Sequence, residues 1–153
     1  MKFISIFLLC LTCLQLYACN SKNEVKNTNN INQANTDTMK LKIKVGSSTF
    51  TATLQSNATA TAFKSLLPLT VNLVDLNGNE KYVDLPRSLP TNASNPKTIQ
   101  AGDLMLYGSS TLVLFYKTFS TSYNYTRIGR VDDVVGLAAA VGSGNVTVAF
   151  ELE

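Results

Sequence analysis

The chain has 153 residues, 45% of them hydrophobic and 15% charged, enough for one domain with its own core and short of what two would need. Its formal net charge of +3 (+2 without Lys2) is too weak and too dispersed to suit nucleic acid. It has no histidine, and its only cysteines are Cys10, Cys13 and Cys19. Ser-His-Asp and Cys-His mechanisms and histidine metal sites are therefore excluded, as are disulfides, thiolate sites and thiol nucleophiles past Cys19.

Met1-Lys2 gives a short basic start, and Phe3 to Leu16 is mostly apolar. So short an apolar run, ending beside the small residue Ala18, reads as a secretory signal over residues 1–18 and not as a membrane span. Leu16-Tyr17-Ala18-Cys19 resembles the lipobox of bacterial lipoproteins. That resemblance implies that Cys19 is acylated, becomes the first mature residue and ties the protein to a membrane. Each buried CH₂ of such an anchor contributes about 0.8 kcal/mol. Asn20 is not the aspartate that the lipoprotein family associates with inner-membrane retention, so the outer membrane or cell surface is expected. The alternative is an ordinary signal whose cysteines serve as small hydrophobes. Residues 19–38 then form a polar, Asn- and Thr-rich tether that buries too little to offset its ordering entropy.

Residues 39–153 form the folded domain. Leu41, Ile43 and Val45 alternate with Lys40, Lys42 and Lys44, a half-buried strand whose lysines suit an exposed sheet edge. Gly46-Ser47 turns the chain into a second strand carrying Phe50, Ala52 and Leu54. Asn57 is placed as a helix N-cap, with Ala58, Ala62, Phe63, Leu66 and Leu67 at helical spacing and Pro68 beyond the end. Asn77-Gly78 joins strands Thr70 to Leu76 and Glu80 to Leu85 as a hairpin. In the second of these, Glu80, Tyr82 and Asp84 share one face and Lys81, Val83 and Leu85 the other.

Pro86 to Gln100 reads as a long surface loop. Asp103 to Tyr107 is a strand, Thr111 to Tyr116 is apolar on both faces and so buried on both, and Ser122 to Ile128 is a third strand. Asp132 or Asp133 is expected to cap a second helix buried through Val134, Leu137, Ala138 and Val141, with Gly142 ending it. Val146, Val148, Phe150 and Leu152 mark a last strand. Many antiparallel strands with two short helices predict a mainly β fold, a closed barrel with helices over its ends, because closure removes edges. A two-layer α+β sheet is the alternative.

From Thr61 to Leu152 the chain resembles the cyclophilin-like domains of small bacterial proteins. The pieces that carry the likeness are Ala62-Phe63, Leu66-Leu67-Pro68-Leu69, Asn77-Gly78-Asn79-Glu80-Lys81-Tyr82, Leu89-Pro90, Gly102-Asp103-Leu104 and Gly129-Arg130-Val131. The resemblance implies an eight-stranded antiparallel barrel capped by helices. True cyclophilins isomerise Xaa-Pro bonds with an arginine beside an apolar, aromatic proline pocket that usually holds a histidine and a tryptophan. This chain has neither of the last two, and Arg127 or Arg130 is the candidate for the arginine.

Tyr123, Tyr125 and Arg127 fall on one side of a regular strand, where they would wall a groove for a small molecule or peptide. Glu80 and Tyr82 are the second candidate group: Glu80 could orient a ligand or act as an acid or base, but a structural pairing with an arginine, Arg130 being the candidate, is the favoured reading. Tyr107 and Tyr116 read as core or rim, and Asp103 as turn chemistry. Asp132-Asp133 lacks the oxygen-ligand pattern of a calcium loop, and Gly142-Ser143-Gly144 follows a helix, the reverse of what phosphate binding needs. No metal or cofactor is expected. The ligand-binding set is Glu80, Tyr82, Tyr123, Tyr125, Arg127 and Arg130. No catalytic residue stands out, with a peptidyl-prolyl isomerase-like enzyme or an envelope interaction module as alternatives.

Overall fold

The structure, a computed structural model, describes residues 39–153. The expected signal, Cys19 and the tether lie outside the described residues. Ten strands and two helices follow in order: β1 (Lys40–Val45), β2 (Ser48–Leu54), α1 (Ala58–Lys64), β3 (Leu69–Leu76), β4 (Glu80–Asp84), β5 (Thr98–Ile99), β6 (Asp103–Tyr107), β7 (Thr111–Phe115), β8 (Phe119–Ser120), β9 (Thr126–Val131), α2 (Leu137–Val141) and β10 (Val146–Leu152). Eight of the strands close a barrel in the order β1-β10-β3-β4-β7-β6-β9-β2, every neighbour antiparallel. The expected closed barrel is the one that forms, and the α+β sheet is not.

Closure corrects the reading of β1 as an edge. It pairs with β10 on one side and β2 on the other. Its outward lysines instead reach across to acidic neighbours: Lys40 Nζ lies 2.8 Å from Asp132, and Lys44 Nζ 2.8 Å from Glu151.

Period-two alternation sends one side chain in two to the interior. Leu41, Ile43, Leu73, Leu104, Leu106, Leu112, Leu114, Val148 and Phe150 meet there with little or no exposure. Each such burial contributes about 1.5–3 kcal/mol, which suits a described domain whose residues include no cysteine. α1 joins the end of β2 to the start of β3, and α2 joins the end of β9 to the start of β10. In an antiparallel barrel those junctions lie at opposite ends. α1 delivers Ala60 and Phe63 to the core, where Phe63 meets Phe150 edge-to-face at 5.9 Å, and α2 delivers Leu137 and Val141.

Asn57 caps α1 as expected, accepting from the Ala60 amide at 2.8 Å. α2 departs from its expectation. It starts at Leu137 after Gly136, so neither Asp132 nor Asp133 caps it, and Val134 and Ala138 are exposed. Asp132 is drawn outward to Lys40 and Thr53, and Asp133 accepts from the Val135 amide in a local turn. Gly142, at φ 58°, ends the helix as predicted.

Two glycines set close approaches. A side chain at Gly129 would stand 2.7 Å from the Thr53 carbonyl, because β9 presses directly on β2 there. At Gly102, φ is 89° and a Cβ would meet Val134 at 2.6 Å.

Candidate functional site

Gly78 closes the β3–β4 hairpin and fixes the phase of β4, so that successive residues point to opposite sides of the barrel wall. Lys81 goes inward and has no exposed surface. Its ammonium donates to Asp75 at 2.7 Å and to the carbonyls of Gly142 and Gly144 at 2.9 and 2.5 Å, and it sits 5.3 Å from the Tyr116 ring centre. Tyr116 also donates its hydroxyl to Asp75 at 2.7 Å. The Lys81 hydrogen bond, then that of Tyr116, holds the Asp75 carboxyl below its ordinary value. Burial, followed by the Asp75 bond, pushes the Tyr116 phenol up to about 12. The Gly142-Ser143-Gly144 turn thus serves as an acceptor for a buried cation.

Glu80, Tyr82 and Asp84 point outward, the shared face predicted from alternation. On that outer face β4 faces β7 with Glu80 opposite Phe115, Tyr82 opposite Val113 and Asp84 opposite Thr111. A second apolar cluster forms outside the barrel from Ile99, Met105, Val113, Phe115 and Tyr125, with Tyr82 and Phe119 packed against it. The chain that follows β7 folds back over this face, because β8 pairs with β5 and Tyr125 bridges Ser94. The expected loop from Pro86 to Gln100 therefore contains a strand and helps to roof the outer face.

Between roof and wall lies a cleft of about 570 Å³. Glu80, Tyr82, Asp84, Tyr107, Val113, Phe119, Tyr123 and Tyr125 line it, together with Asn77, Asn79 and the Thr121–Ser122 turn. The rings stand at steep angles to one another. Tyr107 and Tyr123 meet at 6.1 Å and 89°, Tyr107 and Tyr125 at 5.6 Å and 51°, and Phe115 and Tyr125 at 5.4 Å and 88°. Tyr125 is buried, whereas Tyr107 and Tyr123 are 46% and 61% exposed.

Glu80 is half-buried on this wall and, among the described residues, makes no ion pair or side-chain hydrogen bond. Burial raises its carboxyl above the ordinary value. Burial also raises the Tyr125 phenol, with the Glu80 charge adding to the effect. Asp84 accepts from the Thr111 hydroxyl at 2.7 Å. Asn79 carries a side-chain oxygen that is buried without a partner, while its backbone carbonyl accepts from the amides of Tyr116 and Lys117.

Four of the six predicted ligand-binding residues, Glu80, Tyr82, Tyr123 and Tyr125, thus meet at one cleft, and Arg127 and Arg130 do not line it. The expected regular strand from Ser122 begins only at Thr126, and Tyr123 sits in the roof. Arg127 lies 3.8 Å from Asp103, a carboxylate with 1% exposure whose other oxygen accepts from the Gln100 amide, the predicted turn chemistry. A bulge between Leu104 and Met105 shifts the pairing of β9, so Arg127 and Arg130, three apart, both face outward. Arg130 lies opposite Thr53 and Asp103, and the expected Glu80–Arg130 pair does not form. Tyr107, read as core or rim, is a cleft wall. Its signal was present in the alternation of β6, which puts it on the face of Met105.

A family model, that of the cyclophilin-like family, matches residues 43–151. The solution structure of the hypothetical protein AF2241 from Archaeoglobus fulgidus is similar in fold: TM-score 0.51, 20% identity, 75% of this chain and 95% of that one covered. No curated protein matches the chain.

Proposed function

The chain belongs to the cyclophilin-like family, and from that premise we propose that it is an exported barrel, lipid-anchored through Cys19, that binds a small molecule or peptide in its outer cleft. The observation that carries the binding reading is the cleft itself. Its volume of about 570 Å³ lies in the range of small-ligand sites, and its lining is aromatic with a few convergent polar groups. A barrel wall that only needed to be covered would not hold an unpaired carboxylate beside four tyrosines, because desolvating such a group without a partner costs free energy. The cleft is lined by no histidine or cysteine, and its one hydroxyl–carboxylate contact among the described residues, Thr111 on Asp84, ties two neighbouring strands of the wall together, so binding is the simpler role than catalysis.

Isomerase activity in this family resemblance calls for an arginine beside the proline pocket. The two candidates, Arg127 and Arg130, lie outside the cleft, which argues against that role. A proline peptide whose cis/trans exchange is accelerated by the protein would reverse that argument.

The binding reading is tested by an NMR screen of neutral and charged fragments against the full chain. Hits should shift resonances of Tyr82, Tyr107 and Tyr123 and should lose affinity in the Tyr82→Ala/Tyr123→Ala variant. Hits that map elsewhere, with unchanged affinity in that variant, would reject the cleft. The anchor is tested separately: a fatty-acid analogue should label the protein and not its Cys19→Ala variant.

A further inference from the structure

We propose that the cleft is a receptor for an organic ammonium ion, held between tyrosine faces and the Glu80 carboxylate; this rests on the cleft being a binding site. The chain as a whole is net positive, yet the lining of the cleft holds two carboxylates, Glu80 and Asp84, and no lysine or arginine. The remaining lining that matters is aromatic. Tyr107 and Tyr123 stand perpendicular with partly exposed rings, and Tyr82 faces them from β4. Tyr107 and Tyr123 pack edge-to-face and keep ring surface exposed at the cleft, and exposed electron-rich ring surface beside carboxylates attracts an ammonium group.

Charge placement supports a cation over a neutral ligand. Lys81, one residue from Glu80, is committed to Asp75 and two carbonyls on the inner side of the wall. Arg127 is directed to Asp103. Glu80 therefore has no protein counter-ion among the described residues, and a ligand that supplies one recovers the interaction that folding leaves unmade. An anionic ligand would meet two carboxylates and no cation in the lining.

The chemistry is shared by free quaternary or primary amines and by lysine side chains of a peptide, and titration separates them. The full chain is titrated by calorimetry with choline, with Nα-acetyl-lysine methylamide and with 3,3-dimethylbutan-1-ol, the uncharged isostere of choline. At least one cation should bind about tenfold tighter than the alcohol, the size of effect that a desolvated cation–π contact supports. Tighter binding of choline assigns a free small cation, and tighter binding of the lysine derivative a peptide side chain. Glu80→Gln should remove most of the preference for charge, and Tyr123→Ala, a change at an exposed ring outside the core, should weaken the cation several-fold. Equal binding of alcohol and cations overturns the ammonium assignment while leaving the cleft a binding site. Cations that bind Glu80→Gln and Tyr123→Ala as tightly as the parent also overturn it, as does saturable binding of neither cation. Loss of the cleft reading itself would show separately, as fragment hits that map away from it.

Discussion

Lys81 and Glu80 are neighbours in sequence with opposite fates. Lys81 points into the barrel, is fully buried and meets Asp75, two carbonyls and a tyrosine ring. Glu80 points out of it, is half-buried and meets no counter-charge among the described residues. The difference teaches how to read a buried charge. Where every hydrogen-bonding position is occupied, the group belongs to the fold. Where burial raises the cost of the charge and nothing offsets it, the group is poised for something outside the chain. One strand carries both because its alternation places consecutive residues on opposite sides of a single wall.

The largest effect should come from the saturated side. Lys81→Met keeps much of the stem's volume but leaves Asp75 without its ammonium partner, and should lower the unfolding free energy by about 3 kcal/mol in urea. A loss under about 1 kcal/mol would mean that the cluster contributes little and that the contrast with Glu80 is wrong. Next is Gly129→Ala, which forces a Cβ against the Thr53 carbonyl and should cost roughly 2 kcal/mol through a displaced β2–β9 ladder.

The same cluster sets the pH response. The Asp75 carboxyl is lowered, so its contribution is full above the ordinary carboxylate range and is lost as pH falls through that range towards the lowered value. The Tyr116 phenol is raised to about 12, so its contribution is full below the ordinary phenol value and is lost as pH rises from there through about 12. Stability measured across pH should therefore fall at both extremes, and Lys81→Met should flatten the acid limb. The smallest stability effect belongs to Glu80. Burial disfavours the charged form of its carboxyl, so Glu80→Gln should leave the fold intact or stabilise it by a few tenths of a kcal/mol, the solvent on its open side screening the rest. A clearly destabilised Glu80→Gln would return Glu80 to the structural class.

The barrel was legible because alternation, turn signals and the Asn57 cap agree with one another along most of the chain. Half the cleft was legible for the same reason: Glu80, Tyr82 and Asp84 share a face by counting alone. What failed did so through non-local geometry. The bulge at Leu104/Met105 is invisible to a count and puts Arg130 on the same outer face as Arg127, where both lie beside Asp103 and not among the residues that line the cleft. The pairing of β5 with β8 folds the loop chain over the outer wall, which brings Phe119 and Tyr123 to the site and could not be read from two residues of strand at each end. Asp132 looked like a helix cap because caps and ion-pair partners draw on the same residue types. Its place is decided by Lys40, 92 positions away.

The most direct test of the distinction between the two faces of β4 is a chemical-shift map of the full chain titrated with choline and with the lysine derivative. The account predicts saturable shifts for at least one of them that centre on Glu80, Tyr82, Tyr107, Tyr123 and Tyr125 and need markedly more ligand in Glu80→Gln. Shifts centred on Lys81, Asp75 and Tyr116, or an unchanged titration in Glu80→Gln, would contradict it.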